Sequence, residues 1–179
     1  MNDIRERGKE IIDWLAGEYA GIRTGQATPA LLDNVKVENY GSMMPINQVG
    51  SVGVEDARTL RVSAWDAGSI PAIEKAITDA DLGVSVSTDS AGLRVIFPEL
   101  TSERREQLMK LAKSKLEDAR VSVRAARDEA MKFIDQQQKD GEISEDDKFS
   151  QKDDVQKQVE ELNKKLDEAY AQKETEITQ

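Results

Sequence analysis

Cysteine and histidine are both missing from the 179 residues. Without cysteine there is no disulfide framework, no thiolate nucleophile and no sulfur-ligated metal. Without histidine, Ser-His-Asp and Cys-His arrangements fall away, as does imidazole-ligated zinc. Aromatic residues make up only 4% of the chain, which suits long helices better than a thick globular core. No apolar run approaches the roughly 20 residues of a membrane span. The charged, amphipathic first twelve residues lack the apolar stretch of a signal peptide. A GxxxxGK[ST] phosphate loop is also missing, so intrinsic ATP or GTP hydrolysis is not expected. Together these absences predict a cytoplasmic protein with no membrane partner and no cofactor.

Charge is abundant instead, at 34% of residues, and the formal net charge is -10. Acidity of that size argues against broad nucleic-acid binding, so any RNA contact needs a local basic face. One segment offers it. Residues 104–127 carry eight Lys/Arg against three Asp/Glu, a net of +5. Every other stretch is negative: -1 for residues 1–30, -6 for 31–103 and -8 for 128–179.

Hydrophobic spacing divides the chain into two textures. Residues 1–27 read as a helix, with Ile4, Ile11, Leu15, Tyr19 and Ile22 on one face. Thr24-Gly25 and Thr28-Pro29 end it, since proline disfavours helix in the preceding residue. From about 30 to 101 the pattern becomes alternation. Val35 and Val37, Val49 to Val54, Leu60 to Ala64, Val84 and Val86, and Leu93 to Phe97 read as strands, with a turn at Tyr40-Gly41. A short helix follows Ser69, a candidate N-cap, and carries Ile70, Ile73 and Ile77 on one side. Thr101 or Ser102 then caps a long helix whose stripe runs Leu108, Ala112, Leu116, Ala119, Val123, Ala126, Ala130 and Phe133. Asp140-Gly141 breaks it, and Ser144 with Asp147 resembles a capping box before the stripe Val155, Val159, Leu162, Leu166 and Ala169. Trp14 and Trp65 read as packing residues.

No single helix can bury such a stripe, so the three form a bundle. The expected fold is α+β. A discontinuous three-helix bundle spans residues 1–29 and 102–179, and a small α+β domain is inserted at 30–101. The second and third helices should be antiparallel neighbours across their short turn. The two passages between the parts, at Thr28 and Pro29 and at Thr101 and Ser102, are hinge candidates.

Within the basic segment, Lys113, Arg120, Arg124 and Arg127 fall near one line, about 100° round from the Ala119–Val123–Ala126 seam at ~100° per residue. They would stand on a flank of the bundle. A solvated face with pairs such as Arg120 to Glu117 explains such a row on an arbitrary helix. Here four cations in register stand in an otherwise acidic chain, and guanidinium suits phosphate contact and base stacking. Two other readings compete. One is a helical-bundle adaptor that binds protein without RNA. The other is an enzyme using carboxylates, with or without a metal. The acidic runs at Glu142–Asp147 and Asp153-Asp154 lack calcium-loop spacing, and a capped helix start explains them better.

Several motifs carry a resemblance. Ile22-Arg23-Thr24-Gly25 with Ala27-Thr28-Pro29 and Leu31-Leu32 resembles the end of the first helix in ribosome recycling factors. Val54-Glu55-Asp56-Ala57-Arg58-Thr59-Leu60 is similar to that family's strand entrance. Pro71-Ala72-Ile73-Glu74-Lys75-Ala76-Ile77 and Asp81-Leu82-Gly83 resemble its inserted helix. Arg94-Val95 to Pro98 with Leu100 to Arg105, then Glu142 to Asp147 and Asp153 to Lys157, match its second crossing and third helix. The likeness spans nearly the whole chain in order.

The resemblance implies an L-shaped, hinged molecule without chemistry of its own. It would bind the large ribosomal subunit and its RNA after peptide release, then act with the GTPase elongation factor G to separate the subunits. It places RNA-contacting arginines at Arg124 and Arg127, and a monomer is expected. Arg23, in the first motif, joins Arg120 and Lys113 as a further candidate contact. Four positions depart from the family pattern. Gln26 stands where arginine is usual, Asp128 where a second arginine is common, and Phe149-Ser150 where a basic pair is typical.

Overall fold

The computed structural model describes residues 4–179. Two compact units divide the chain: Met1–Tyr19 with Met109–Thr175, and Ala20–Leu108 with Glu176–Gln179. Residues 20–29 and 102–108, which hydrophobic spacing alone gives to the bundle, group with the second unit. Ala27 belongs to that unit's apolar core, with Leu31 and Leu32 beyond it.

The helical unit is built from α1 (Ile4–Ala20), most of α4 (Ser102–Lys139) and most of α5 (Glu145–Thr178). At 1.5 Å per residue α4 is about 57 Å long. Its seam of Ala112, Leu116, Ala119, Val123 and Ala126 is buried, and so are Val155, Val159, Leu162 and Leu166 of α5. Near its end the seam shifts by one residue, burying Ile134 and leaving Phe133 43% exposed. Side-chain pairs fix the directions. Arg7 meets Glu129, Glu18 meets Lys115, and Tyr19 reaches Ala112, so α1 runs antiparallel to α4. Asp135 pairs with Lys148 and Lys152, and Arg120 with Asp167, so α5 runs antiparallel to α4 as well. Gly8 faces Leu162 so closely that a Cβ there would lie 2.5 Å from Leu162 Cδ2, which lets α1 and α5 approach.

The turn between α4 and α5 satisfies its own backbone. Gly141, at φ +75, donates to the Gln138 carbonyl at 3.1 Å, and Glu142 N–H to the Gln137 carbonyl at 2.9 Å. That pair of bonds is a Schellman cap. Ser144 and Asp147 then form the reciprocal box: Asp147 N–H donates to Ser144 Oγ, and Ser144 N–H to Asp147 Oδ2, both at 3.1 Å. Trp14 is half-exposed, with Lys115 Nζ 5.9 Å from its ring centroid.

The second unit carries a hairpin, β1 (Lys36–Asn39) with β2 (Ser42–Pro45), and a one-turn helix α2 (Ile46–Val49). Tyr40 and Gly41 close the hairpin, both at positive φ, the geometry of a type I′ turn. A four-stranded antiparallel sheet has the order β3-β4-β6-β5. Its strands are β3 (Gly50–Asp56), β4 (Thr59–Ala64), β5 (Ser85–Thr88) and β6 (Gly92–Ile96), and α3 (Ile70–Asp79) lies between β4 and β5 in the chain. Leu60 opposes Val95 and Val62 opposes Leu93, so all four face one core with Ile73, Ile77 and Phe97. Ser69 precedes α3 but does not cap it; its hydroxyl donates to Asn39 Oδ1 at 3.0 Å. Trp65 is 68% exposed, so it is not a core residue. On the outer sheet face Arg61 grips both Asp89 oxygens, at 2.6 and 2.8 Å, and Arg94 takes Glu55 at 2.7 Å.

Tyr19 gives the helical unit a pH signature. Its hydroxyl donates to the Ala112 carbonyl at 2.9 Å, joining α1 to α4. Burial, with Tyr170 adding and Arg120 opposing, pushes the phenol up to about 12. The folded state therefore favours the neutral phenol. That contribution is complete below the ordinary value of 10.0 and is lost as pH climbs toward 12. Relative to a Tyr19→Phe variant, the parent should lose on the order of 2 kcal/mol of stability between pH 9 and 12. Denaturation midpoints across that range measure it, and parallel curves for the two proteins would contradict it.

Candidate nucleic-acid interface

The four cations of the α4 row differ in what already holds them. The buried seam of Ala119, Val123 and Ala126 turns the neighbouring flank outward, and Lys113 and Arg124 stand exposed on it. Neither has an ion-pair or side-chain hydrogen-bond partner among the described residues. Arg120 is spoken for. Its Nη1 donates to Glu117 Oε1 and its Nη2 to Asp167 Oδ1, both at 2.6 Å. The bond to Asp167, reinforced by Glu117, holds the guanidinium above its ordinary value. Both forks are thus used within the bundle, and Arg120 acts as a tie from α4 to α5. Arg127 is intermediate: Nε and Nη2 both donate to Asp128 Oδ1, at 3.1 and 2.9 Å. The Glu117 pairing was visible as an i,i+3 spacing. Asp167 lies 47 residues from Arg120, a separation at which sequence gives no signal.

Three arginines of the sheet-bearing unit are also engaged. Arg58 pairs with Glu99, Arg61 with Asp89 and Arg94 with Glu55. The α4 flank therefore offers guanidinium and ammonium groups that the fold has not already neutralised.

Arg23 is elsewhere and has another role. It is only 7% exposed. Its Nη1 donates to the Gly83 carbonyl at 2.8 Å and its Nη2 to the Pro98 carbonyl, while Cζ lies 5.5 Å from the Phe97 ring centroid. Burial pushes its guanidinium below the ordinary value, and Arg104 adds to that. A side chain so enclosed cannot present itself to RNA, which removes Arg23 from the candidate contacts. It joins the loop before β5 to the chain leaving β6. Two backbone bonds act alongside it, Ala27 N–H to the Ala57 carbonyl at 2.9 Å and Phe97 N–H to the Arg58 carbonyl at 2.7 Å.

The hinge candidates sit in the same region. Thr28 accepts from Leu31 N–H, Pro29 opens a short 3-10 turn, and Thr101 Oγ1 caps α4 by accepting from Arg104 N–H at 3.1 Å. With Ser102, all four lie inside the second unit. Thr28 and Thr101 are tied to Leu31, Arg104 and Arg105 within that unit.

Comparison with known proteins decides the family. A family profile described as ribosome recycling factor matches residues 15–178. The chain belongs to the ribosome recycling factor family. A ribosome-recycling factor of Chlorobaculum parvum is 47% identical over 177 residues, 99% of this chain and 95% of the relative. One from Xanthobacter autotrophicus is 43% identical with the same coverage. A solution structure of the ribosome recycling factor superposes with a TM-score of 0.78 at 35% identity, covering 98% of this chain and 93% of that one. A second similar structure, TM-score 0.67 and 39% identical, covers 98% and 95%. It is the T. thermophilus ribosome recycling factor, placed with E. coli elongation factor G bound to the E. coli post-termination complex.

Long helices with a small β-containing part are thus a family architecture, and the motif from Ile22 to Gly25 that points to the family carries a buried, structural arginine. Replacing Arg23 by alanine should destabilise the sheet-bearing unit by about 2–4 kcal/mol, because two carbonyls lose a charged donor and the ring loses its cation. Chemical denaturation with amide exchange of residues 81–84 tests this. Unchanged stability and exchange would contradict it.

Proposed function

We propose that this chain acts as a ribosome recycling factor, binding the RNA of the large ribosomal subunit through Arg124, Arg127 and Lys113. Elongation factor G and GTP then complete separation of the post-termination ribosome. The observation that carries the RNA contact is the unengaged pair, Lys113 and Arg124, beside the exchangeable Arg127 on one flank of α4. Family membership over nearly the full chain supports the wider function, and the similar structure bound with elongation factor G to the post-termination complex supports the partner. The protein acts by binding: it favours one ribosome state over another, and its partner GTPase provides the energy. No helix among the described residues is long and apolar enough to cross a membrane. We place the protein in the cytoplasm, as a monomer, where ribosomes are its substrate.

Arg124→Ala and Arg127→Ala should each weaken binding to isolated large subunits by about tenfold, the scale of one charged hydrogen bond. Their melting temperatures should stay at the parent's value. Polysome breakdown by purified protein with elongation factor G and GTP should fall in the same order. Unchanged affinity in both variants would contradict the assignment, as would binding to large subunits stripped of accessible RNA.

A further inference from the structure

We propose that the helical unit carries a binding site for a small aromatic amine, in a cavity lined by α1, α4 and α5. The cavity has a volume of about 390 Å³. A dry cavity of roughly 150 Å³ already takes benzene, and ligand pockets run from about 300 to 1,000 Å³. The site is separate from the basic flank. At ~100° per residue, Glu129 and Phe133 of its lining stand about 140° and 180° round α4 from Arg124.

The seam of α4 makes the hollow. Along it, alanines alternate with Leu108, Leu116 and Val123, until Ala126 and Ala130 follow each other one turn apart. Two small side chains in succession leave depth where a larger one would fill it. Val155 of α5 and Ile4 of α1 complete the apolar wall. The seam then shifts to Ile134, which turns Phe133 out to 43% exposure against the cavity. A flat ring suits such walls: the alanines give it room, and Phe133 gives it a partner for offset stacking.

The rim selects the charge. It holds two carboxylates, Glu129 and Asp154, against one guanidinium, Arg7. Arg7 Nη1 donates to Glu129 Oε2 at 3.1 Å, so that cation is countered within the rim. One negative charge is left in excess, which favours a cationic ligand over an anionic one. Gln158 adds an acceptor. It lines the same cavity, and its Oε1 is buried with no hydrogen-bond donor among the described residues. A turn of that side chain toward the cavity gives Oε1 an ammonium N–H and ends the cost of an unpaired buried carbonyl.

The test titrates the full chain with 2-phenylethylamine and, separately, with 3-phenylpropionate, which pairs the same ring with the opposite charge. Amide NMR shifts report binding. The amine should saturate shifts at Ala126, Ala130 and Val155 with a dissociation constant of about 1 mM, the scale for roughly nine heavy atoms. The carboxylate should bind about tenfold more weakly. Ala130→Leu fills the hollow, and should weaken the amine about tenfold or more while melting at or above the parent's temperature. Asp154→Asn should cut the amine's advantage over the carboxylate about threefold. Equal binding of the two probes overturns the proposal, as do shifts that never saturate or undiminished amine binding by Ala130→Leu. If Ala130→Leu melts below the parent, Asp154→Asn decides, and an unchanged ratio of the two affinities overturns the site.

Discussion

Burial of the α4 seam is the constraint on which the helical unit depends. A helix of 38 residues with one apolar stripe cannot hold that stripe against water alone. Cover comes from α1 and from α5, both antiparallel to it. The α5 contact is local, delivered by a Schellman turn and a capping box within a few residues. The α1 contact is distant: Tyr19 must find Ala112 across 93 residues. The second unit fills much of that interval in the chain and has a core of its own.

Once the seam is covered, the orientation of every other α4 residue follows from helical geometry. Lys113, Arg120, Arg124 and Arg127 are placed on a flank by the same spacing that buries Ala119, Val123 and Ala126. What spacing does not fix is how each cation is neutralised. Carboxylates from α4 itself and from α5 take Arg120 entirely and Arg127 in part, and leave Lys113 and Arg124 to solvent. The acidic character of the rest of the chain then matters in two ways. It pairs Arg7, Arg58, Arg61 and Arg94 with carboxylates, and it disfavours polyanions over most of the chain.

Much of this was legible in sequence where signals are local. The seam, the helix break at Gly141, the capping box at Ser144 and the alternation of Leu60 and Val62 depend on residues a few positions apart, and each appears in the fold. The end of α1 was not legible. Amphipathic spacing continues through Ile22, yet the helix stops at Ala20, because Ile22, Arg23 and Ala27 are buried outside the helical unit. Tertiary packing overrides periodicity there. The one-turn helix at Ile46–Val49 is too short for any periodic window. Arg23 looked like one more cation for RNA. Its enclosure by Gly83, Phe97 and Pro98 depends on residues 60 and 75 positions away, as the Arg120 tie depends on Asp167.

The central claim is that a few unpaired cations on one helix flank supply the contact with ribosomal RNA. Its most direct measurement is the salt dependence of large-subunit affinity. Each phosphate contact releases counterions and contributes about 0.7 to 0.9 to the slope of log affinity against log salt. Two to three contacts predict a slope of roughly -1.5 to -2.5 for the parent. In Arg124→Ala the slope should become shallower by about one contact's worth. A parent affinity that does not change with salt, or an Arg124→Ala slope equal to the parent's, would contradict the account.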